Sequence, residues 1–369
     1  MYSILLVLAI SFSFITQVIT AVSDHRGSYA YEGVPSNKKH ELSRNDLSSD
    51  SSLSTTHGNN GVLPAPLLKS EFYSPSVQSV LNYQPPTKKL LIVFATTVDS
   101  QNDTLSNPVK NTLQMLMDYS RSYSTHCVVF SSTPSIISFA SSCGHTVVTN
   151  TSRNPFGFPF IRPILEVTRL LFDSVHISYI SSDILFSSSL FDLLEAIPYA
   201  RPPISPIYEV AVTGRDTNET ISLRDTTITT LNSLVQSVYE TGTPRHVHSS
   251  DMFVFSQSTP FRSVSRVVVG RMSAGNTLIG IMHKEGGELI SADEVLRVVH
   301  QGVDESTPHQ KAFRKDIHWN NLVLGWNGTL AEYKRIIRQG SLRYCNRIVH
   351  YSNGFQFSVV RKVTADEEK

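Results

Sequence analysis

The heptapeptide KLLIVFA at residues 89–95 decides the fold class of this chain. After its first lysine it is apolar at every position, and a Pro-Pro pair at residues 85–86 precedes it. A strand with one face in water would alternate apolar and polar side chains, whereas a strand buried on both faces is a continuous apolar run. The heptapeptide therefore predicts a central strand of a parallel sheet, and we expect the folded domain to begin at residue 88.

Downstream of this strand, helical patterns alternate with further apolar runs. Helices are predicted at residues 107–121, 134–142 and 161–172, and strands at residues 128–130, 146–148 and 175–180. Such alternation predicts a parallel sheet with helices on both faces. Ligands of these sheets bind at the carboxyl ends of the strands, so the residues that follow each strand are the candidate site.

The overall composition excludes several classes of protein. The 369 residues include 32 Lys+Arg and 31 Asp+Glu, for a net charge of +1, which argues against a nucleic-acid binder because such proteins carry a basic surface. Three cysteines are too few for a disulfide scaffold, so the core must come from apolar packing. Cys127 and Cys143 could pair in an oxidising compartment, or all three thiols could be buried and unpaired.

The amino terminus resembles a targeting segment. Residues 4–20 are largely apolar and uncharged, and the small residues at 21–23 precede Asp24. This pattern predicts a signal peptide over residues 1–23, and an uncleaved signal anchor, which would make a type II membrane protein, is the alternative. Sequons at Asn102, Asn150, Asn218 and Asn327 agree with a glycoprotein of the ER or Golgi lumen, or a secreted one.

The chain divides into four parts by composition. After residues 1–23, residues 24–87 are first Ser-rich and polar and then Pro-rich, so they bury too little apolar surface to fold and are predicted to form a disordered or extended stem. The folded domain is assigned to residues 88–345, and residues 346–369 are assigned to a C-terminal tail.

Asp183 follows the predicted strand at residues 175–180, within the segment SSDILF at residues 181–186. A carboxylate at the end of such a strand can hold a divalent cation, which in turn can neutralise a nucleotide diphosphate. The alternative is that Asp183 only caps a helix or stabilises a turn.

Further motifs follow Asp183 in order along the chain. They are GRD at residues 214–216, DMFVF at 251–255, GRMSAGN at 270–276 and HQ at 300–301. Each motif lies in or directly after a predicted strand, and these strands are at residues 208–216, 248–255, 267–269 and 295–301, in the same order. Together with SSDILF, these motifs resemble the nucleotide-diphospho-sugar transferase-like family, over roughly residues 88–325. The resemblance implies an α/β domain of GT-A-like (Rossmann-like) architecture, with a mostly parallel sheet flanked by helices.

The resemblance also implies roles for individual residues. Asp183 would bind a cation, Mn or Mg, close to the donor. The residues that would bind substrate are Arg215, Gly270, Arg271 and His300, and those that would act in catalysis are Asp251, Arg271 and Asn276. For His300 the alternative is a histidine of the core or the sheet edge with no ligand.

The activity implied is the transfer of a sugar from a nucleotide-sugar donor to a hydroxyl acceptor, a glycan or a glycoprotein. Two positions depart from the family pattern, because Gly275 and Ser291 stand where the family has Asp. A transfer that inverts the anomeric centre needs a general base on the acceptor hydroxyl. Asp251 could replace the missing acid, the reaction could retain configuration, or the protein could be a catalytically degenerate GT-A-fold protein that binds a glycan or protein partner.

Overall fold

A computed structural model describes most of the chain from residue 80 onward. The described residues are 80–100, 102–223, 226–245, 249–264, 266–271, 273–301, 318–326, 329, 331, 334–335, 340–352 and 356–361. The predicted signal segment, the stem up to residue 79 and the sequon at Asn327 lie outside them. Within these ranges, no helix combines the length and the apolar character needed to cross a membrane.

Strands and helices alternate along the first half of the domain. The strands are β1 Val80–Leu81, β2 Leu90–Thr97, β3 Thr125–Phe130, β4 Thr146–Val148, β5 Ser174–Ile180, β6 Ile184–Phe186, β7 Tyr208–Ala211, β8 Arg215–Thr217, β9 Thr243–Pro244, β10 Met252–Ser256, β11 Glu288–Ser291, β12 Val298–Gln301, β13 Arg347–Ser352 and β14 Gln356–Arg361. The helices are α1 Asn107–Ser122, α2 Pro134–Ser142, α3 Ile161–Leu171, α4 Ser189–Ala196, α5 Ile228–Thr241, α6 Ala274–Ile279, α7 Ile281–Glu285 and α8 Trp319–Val323.

The main sheet has the strand order β1-β4-β3-β2-β5-β10-β7-β11-β13-β14. Strands β4, β3, β2 and β5 are parallel neighbours, and β11 is parallel to both β7 and β13. Strand β10 runs antiparallel between β5 and β7. These pairings confirm the predicted α/β class, with a mostly parallel sheet flanked by helices.

Helices cover both faces of this sheet. Adjacent residues of β2 belong to different cores. Phe94 lies in the apolar cluster that includes residues of α1, α2, α4 and α5, whereas Val93 lies in the cluster that includes residues of α3, α6 and α7. Both side chains are at most 1% exposed. The apolar run that predicted this strand is therefore continuous because each of its faces meets a layer of helices.

A second, smaller sheet has the order β6-β12-β8-β9. The chain enters it shortly after leaving the main sheet, from β5 into β6, from β7 into β8 and from β11 into β12. The single strand expected across residues 208–216 is thus two strands, interrupted at 212–214. A Cβ on Gly214 would lie 3.1 Å from the carbonyl oxygen of Val298, so glycine allows the chain to pass close to β12 at this break.

The ordered structure extends beyond the predicted domain of residues 88–345. Strand β1 pairs with β4 before residue 88, and β13 and β14 pair with each other in the segment assigned to a tail. The expected strand at 267–269 forms only an isolated bridge between Val268 and Phe160, because the side chain of Asn320 binds both backbone groups of Val268, at 2.8 and 2.9 Å. The three cysteines are buried thiols without a disulfide in the described part of the chain.

Two buried ionisable side chains, those of Arg347 and Glu209, stand out in the main sheet. Arg347 on β13 pairs with Glu288 on β11 and donates to the carbonyl oxygens of Pro202 and Pro203, at 2.8 and 2.9 Å. Glu209 on β7 is fully buried, and neither carboxyl oxygen has a hydrogen-bond partner among the described residues. Burial raises the pKa of Glu209 well above its usual range, because it disfavours the charged form of the carboxyl group.

Candidate functional site

Asp183 lies in the turn between β5 and β6, at the carboxyl end of β5. Strand β6 pairs antiparallel with β12, and this register sets His300 opposite Ile184. The backbone N–H of Gln301 donates to the carbonyl oxygen of Asp183 at 2.9 Å. The pairing of β6 with β12 therefore brings together two residues that the sequence proposed separately, each at the end of its own strand.

His300 lies between two carboxylates. Its Nε2 atom is 3.2 Å from Oδ2 of Asp183, and its Nδ1 atom is 3.0 Å from Oδ1 of Asp216. Asp216 is the direct neighbour of His300 across the parallel pair of β8 and β12. The imidazole consequently bridges one acid at the end of the main sheet and one acid in the small sheet.

Arg245 extends this arrangement to a third acid. Its Nε atom is 3.3 Å from Oδ1 of Asp216, and its Nη1 atom pairs with Oδ2 of Asp251. The backbone holds these partners in place, since Arg245 donates its N–H to Gly214 and Ser181 donates to the carbonyl of Asp251. The resulting group is called the charged cluster below, and its members are Asp183, Asp216, Arg245, Asp251 and His300.

The charged cluster favours the protonated form of His300. Burial lowers the pKa of this imidazole, but the hydrogen bond and charge of Asp183, with the charge of Asp216, outweigh burial and the repulsion from Arg245. The net result is a raised pKa. His300 therefore carries positive charge over a wider pH range than an ordinary histidine, and it partly neutralises the acids beside it.

Asp183 has an acceptor atom that the protein leaves open. Its Oδ1 atom is buried and has no hydrogen-bond partner in the described part of the chain. A buried oxygen of this kind is rare in folded proteins, because its lost hydration must be replaced by a donor or a cation. No group of three or more His, Cys, Asp or Glu with metal-holding geometry occurs within the described ranges.

The cation site predicted at Asp183 stays a prediction, and His300 is the ionisable side chain beside its Oδ2 atom. Cis ligands of an octahedral ion with bonds of about 2.1 Å lie about 3.0 Å apart. The 3.2 Å between Oδ2 of Asp183 and Nε2 of His300 is close to this separation. The buried Oδ1 atom of Asp183 adds a second acceptor on the same carboxylate. Mg²⁺ usually takes its remaining ligands from water and substrate phosphates, so two protein ligands are compatible with such a site.

A pair of buried amides supports the charged cluster from behind. Asn111 in α1 donates to Oε1 of Gln301 at 2.8 Å and to the carbonyl of Ile221 at 2.9 Å, and its own oxygen accepts from the N–H of Leu223 at 3.1 Å. Gln301 also donates to the carbonyl of Pro108 at 3.3 Å. These bonds join α1, the loop after β8 and the end of β12, next to His300. The sequence analysis proposed neither Asn111 nor Gln301 as a site residue.

Arg215, proposed as a substrate-binding residue, makes its contacts at the end of α5. Its Nη1 atom donates to the carbonyl of Tyr239 at 3.0 Å, with longer contacts to those of Glu240 and Gly242. Its guanidinium also lies over the ring of Tyr239, 4.5 Å from the centroid. Arg215 thus satisfies carbonyl groups at a helix C-terminus, where a positive charge is favourable.

The residues proposed around α6 make contacts of several kinds. Arg271 is 6% exposed, its guanidinium lies over the ring of Phe158, and it donates to the carbonyl of Gly270 at 2.7 Å. Asn276 donates to the carbonyl of Gly340 at 2.9 Å. These contacts join α6 and the turn before it to two other segments of the chain, and the proposed substrate and catalytic roles of the three residues stay predictions.

Helix α6 begins beside the charged cluster. A Cβ on Gly275 would lie 3.0 Å from the carbonyl oxygen of Ser250 and 3.4 Å from the ring of Phe253. An aspartate at this position would therefore push against the backbone that leads into Asp251. The packing at the start of α6 therefore favours glycine over aspartate at residue 275.

The second departure from the family pattern has an acid close by. Ser291 ends β11 and is buried, and Asp293 follows two residues later. The Asp293 carboxylate accepts the backbone N–H of Thr213 at 2.6 Å, and burial raises its pKa despite hydrogen bonds from Thr213 and Ser291. Asp293 thereby links the ends of β7 and β11.

Comparison with known proteins gives structural neighbours only. No protein-family model and no curated protein matches this sequence. Similar solved structures include mannosyl-3-phosphoglycerate synthase from Rubrobacter xylanophilus, at 13% identity and a TM-score of 0.38, over 74% of this chain and 85% of that one. Glucosyl-3-phosphoglycerate synthase from Mycobacterium tuberculosis matches at 12% identity and a TM-score of 0.33, over 73% of this chain and 91% of that one.

A complex of the same Mycobacterium tuberculosis enzyme with phosphoglyceric acid matches at 14% identity and a TM-score of 0.30, over 57% of this chain and 76% of that one. By name, these neighbours are synthases of sugar derivatives of phosphoglycerate. Such low TM-scores assign no activity to this chain, so its function has to be inferred from its own residues.

Proposed function

We propose that this protein transfers a sugar from a nucleotide-sugar donor to a hydroxyl acceptor, in a GT-A-like α/β domain. The observation that carries the proposal is the Asp183–His300 pair at the end of β5, with a buried acceptor oxygen on Asp183 that lacks a partner among the described residues. The ends of strands in such sheets are where nucleotide ligands bind. The order of motifs along the sequence supports the same class of reaction.

In this proposal Asp183 and His300 hold a divalent cation, Mn or Mg. When bound, the cation supplies electrostatic stabilisation of the nucleotide diphosphate as it leaves. Asp216 and Arg245 fix the position of the imidazole, and Arg245 also holds Asp251 beside the start of α6. The acids of the charged cluster are thus already partly neutralised by the side chains of His300 and Arg245.

The acceptor side lacks an obvious general base. Residue 275 is a glycine packed against the Ser250 carbonyl, and the Asp251 carboxylate is already paired with Arg245. These observations favour a transfer with retention of configuration, in which no dedicated base on the acceptor is needed. They equally support a second candidate, a degenerate GT-A-fold protein that binds a glycan or protein partner without turnover.

We further propose that the protein acts in the ER or Golgi lumen or is secreted, on a glycan or glycoprotein acceptor. The apolar segment at residues 4–20 supports this location. Asn102, Asn150 and Asn218, the three sequon asparagines among the described residues, are all exposed, as carriers of glycans must be. This part of the proposal is tested by expressing the protein in a eukaryotic secretory host and treating it with an enzyme that removes N-linked glycans. A fall in the mass of the protein is the expected result.

The test of the activity is thermal unfolding with uridine or guanosine diphosphate and Mn²⁺, followed by donor hydrolysis and transfer assays. A ligand that binds only the native state must raise Tm. Asp183→Asn should remove the shift, because the site loses a full charge against a divalent ion, about 8 kcal/mol at 4 Å and an effective dielectric near 20 before desolvation.

The matched control is Asp173→Asn, since Asp173 is 70% exposed and pairs only loosely with Lys89 at 3.6 Å. This control should keep the wild-type shift. A wild-type shift that survives in Asp183→Asn would remove the metal role of Asp183. A shift without any turnover would favour the degenerate binder, and no shift with any nucleotide would contradict the donor site itself.

A further inference from the structure

Two long segments of the chain contain no acidic residue. Residues 252–284 include four Lys or Arg and residues 333–365 include seven, without any Asp or Glu in either segment. The net charge of the whole chain is only +1, so positive charge is concentrated in these two segments and acids predominate elsewhere. Such segregation of charge in a nearly neutral protein indicates a surface of one sign.

The two acid-free segments meet at α7. The turn before α6 reaches this helix through the N–H of Ser263, which donates to the carboxylate of Glu285 at 3.3 Å. Burial lowers the pKa of Lys284, and the charge of Arg335 lowers it further, which places the second segment close to α7. The hydrogen bond that α6 donates to Gly340 joins the two segments at another point.

Several basic side chains of this region are exposed. They are called the basic face below, and they are Arg262, Arg266, His283, Lys284, Lys334 and Arg335. Within the described ranges, none of these six side chains forms an ion pair. The nearby acids have other partners, since Glu285 accepts from Ser263 and Glu166 in α3 is held by Arg162 at 2.6 Å. The positive charge of the basic face is therefore available to a ligand.

We propose that the basic face binds a sulfated glycan, at a site separate from the charged cluster. A polymer with many anions suits a group of exposed cations, because each contact releases counterions and the contacts add along the polymer. Arg and Lys donate charge-assisted hydrogen bonds to oxyanions, and a sulfate keeps its charge at every physiological pH. The choice of a glycan rests on the location in the secretory pathway that is part of the proposed function.

The packing of the same elements argues against a membrane as the partner. A helix that lies on a bilayer inserts apolar side chains beside its basic ones. In α7 the apolar residues Ile281 and Met282 are fully buried in the core, and so is Val264 in the adjoining turn. These two elements thus turn no aliphatic side chain outward, which fits a hydrated polyanion better than lipid.

The experiment measures binding of the full chain to heparin in about 0.15 M salt. Desulfated heparin, single-stranded DNA and vesicles of phosphatidylserine and phosphatidylcholine are the comparison ligands, and we expect heparin to bind most tightly. The double variant Lys284→Gln with Arg335→Gln should bind heparin about 10-fold or more weakly, because two cations are lost. The slope of log affinity against log salt should fall by about one to two units.

The matched control is Lys88→Gln with Lys110→Gln, which removes two exposed charges elsewhere and should keep the wild-type affinity. Thermal unfolding without ligand shows whether each variant folds, and if the double variant does not, the single variants Arg262→Gln and Lys284→Gln decide. The inference is overturned if the wild type does not bind heparin, or if the control loses as much affinity as the double variant. An unchanged affinity of the double variant has the same consequence.

The comparison ligands test the class of partner. Binding to desulfated heparin, DNA or vesicles as tight as to heparin would overturn the assignment of a sulfated glycan. The proposed function is tested separately, because the double variant should keep any shift in Tm that the wild type shows with nucleotide and Mn²⁺. If that shift is absent or the secreted protein carries no N-linked glycan, the corresponding part of the proposed function fails, whereas heparin binding still tests the basic face.

Discussion

Replacing Glu209 with glutamine should abolish one specific part of the pH dependence of stability. Glu209 lies in the middle of β7, between Phe255 on β10 and Leu289 on β11. Its carboxyl group is fully buried without a hydrogen-bond partner among the described residues, and burial raises its pKa well above the usual range. In the unfolded chain the same group ionises at about pH 4.3.

The direction of this pH dependence follows from the proton that Glu209 keeps in the folded protein. Above about pH 4.3 the unfolded chain has lost the Glu209 proton while the folded protein keeps it, so stability falls as pH rises toward the raised folded pKa. The slope is about 1.4 kcal/mol per pH unit, and two units cost up to about 3 kcal/mol. Glu209→Gln has nearly the same shape and no ionisation, so it should match the wild type near pH 4 and exceed its stability increasingly at higher pH.

Chemical denaturation at pH 4, 5, 6 and 7 measures this difference. Other titrating groups affect both proteins equally, so the gap between the two stability curves isolates Glu209. Asp173→Asn, at a side chain that is 70% exposed, serves as the control and should run nearly parallel to the wild type. Parallel curves for Glu209→Gln as well would refute the reasoning, because they would mean that the native state ionises this carboxyl as readily as the unfolded chain does.

Three further predictions concern other buried groups. Burial lowers the pKa of His126, His145 and His176 to about 4, so the stability they contribute should be complete above about pH 6.5 and decline as pH falls toward 4. Replacing the core residue His176 with glutamine should make this decline less steep when stability is measured by denaturation at several pH values. An unchanged slope would count against the prediction. Arg347→Met should lower the free energy of unfolding by about 3 kcal/mol, because it removes the buried cation that pairs with Glu288. Lys89→Met breaks only an exposed ion pair and should change the free energy of unfolding by less than about 1 kcal/mol. Equal effects of the two substitutions would contradict this prediction. Gly275→Ala should cost about 1–3 kcal/mol by crowding the Ser250 carbonyl, and a Tm equal to that of the wild type would show that this backbone yields.

The local elements of this fold follow closely from the sequence. The structure has α2 over Pro134–Ser142 and β4 over Thr146–Val148, the ranges that the pattern predicts, and β2 covers the apolar run at 90–95. These elements are set by neighbouring residues, through proline at a helix start or a continuous apolar run. Strand β1 was missed because two residues carry no period, and its strand character comes from pairing with β4.

The charged cluster was only partly predictable, because its geometry depends on strand pairing between distant segments. Asp183 and His300 were found as polar residues that end strands. At the motif GRD the sequence analysis chose Arg215, whereas the residue that contacts His300 is Asp216. Adjacent residues of a strand face opposite sides, so a choice one residue away reverses the side chain's direction. Gln301 belongs to the HQ motif at 300–301, but Arg245 and Asn111 carry no local signal, since their roles depend on contacts with distant parts of the chain.

The small sheet also determines when, during synthesis, the charged cluster can form. A ribosome makes α1 early, but the buried amide of Asn111 meets its partner Gln301 only 190 residues later. Until β12 emerges, β6 and β8 have no central strand to pair with, and the nascent chain must keep this region from aggregating while its edges are open. A transcript or protease product that ends before β12 would therefore lack His300, which joins Asp183 to Asp216 in the charged cluster, whatever fraction of the main sheet it retains.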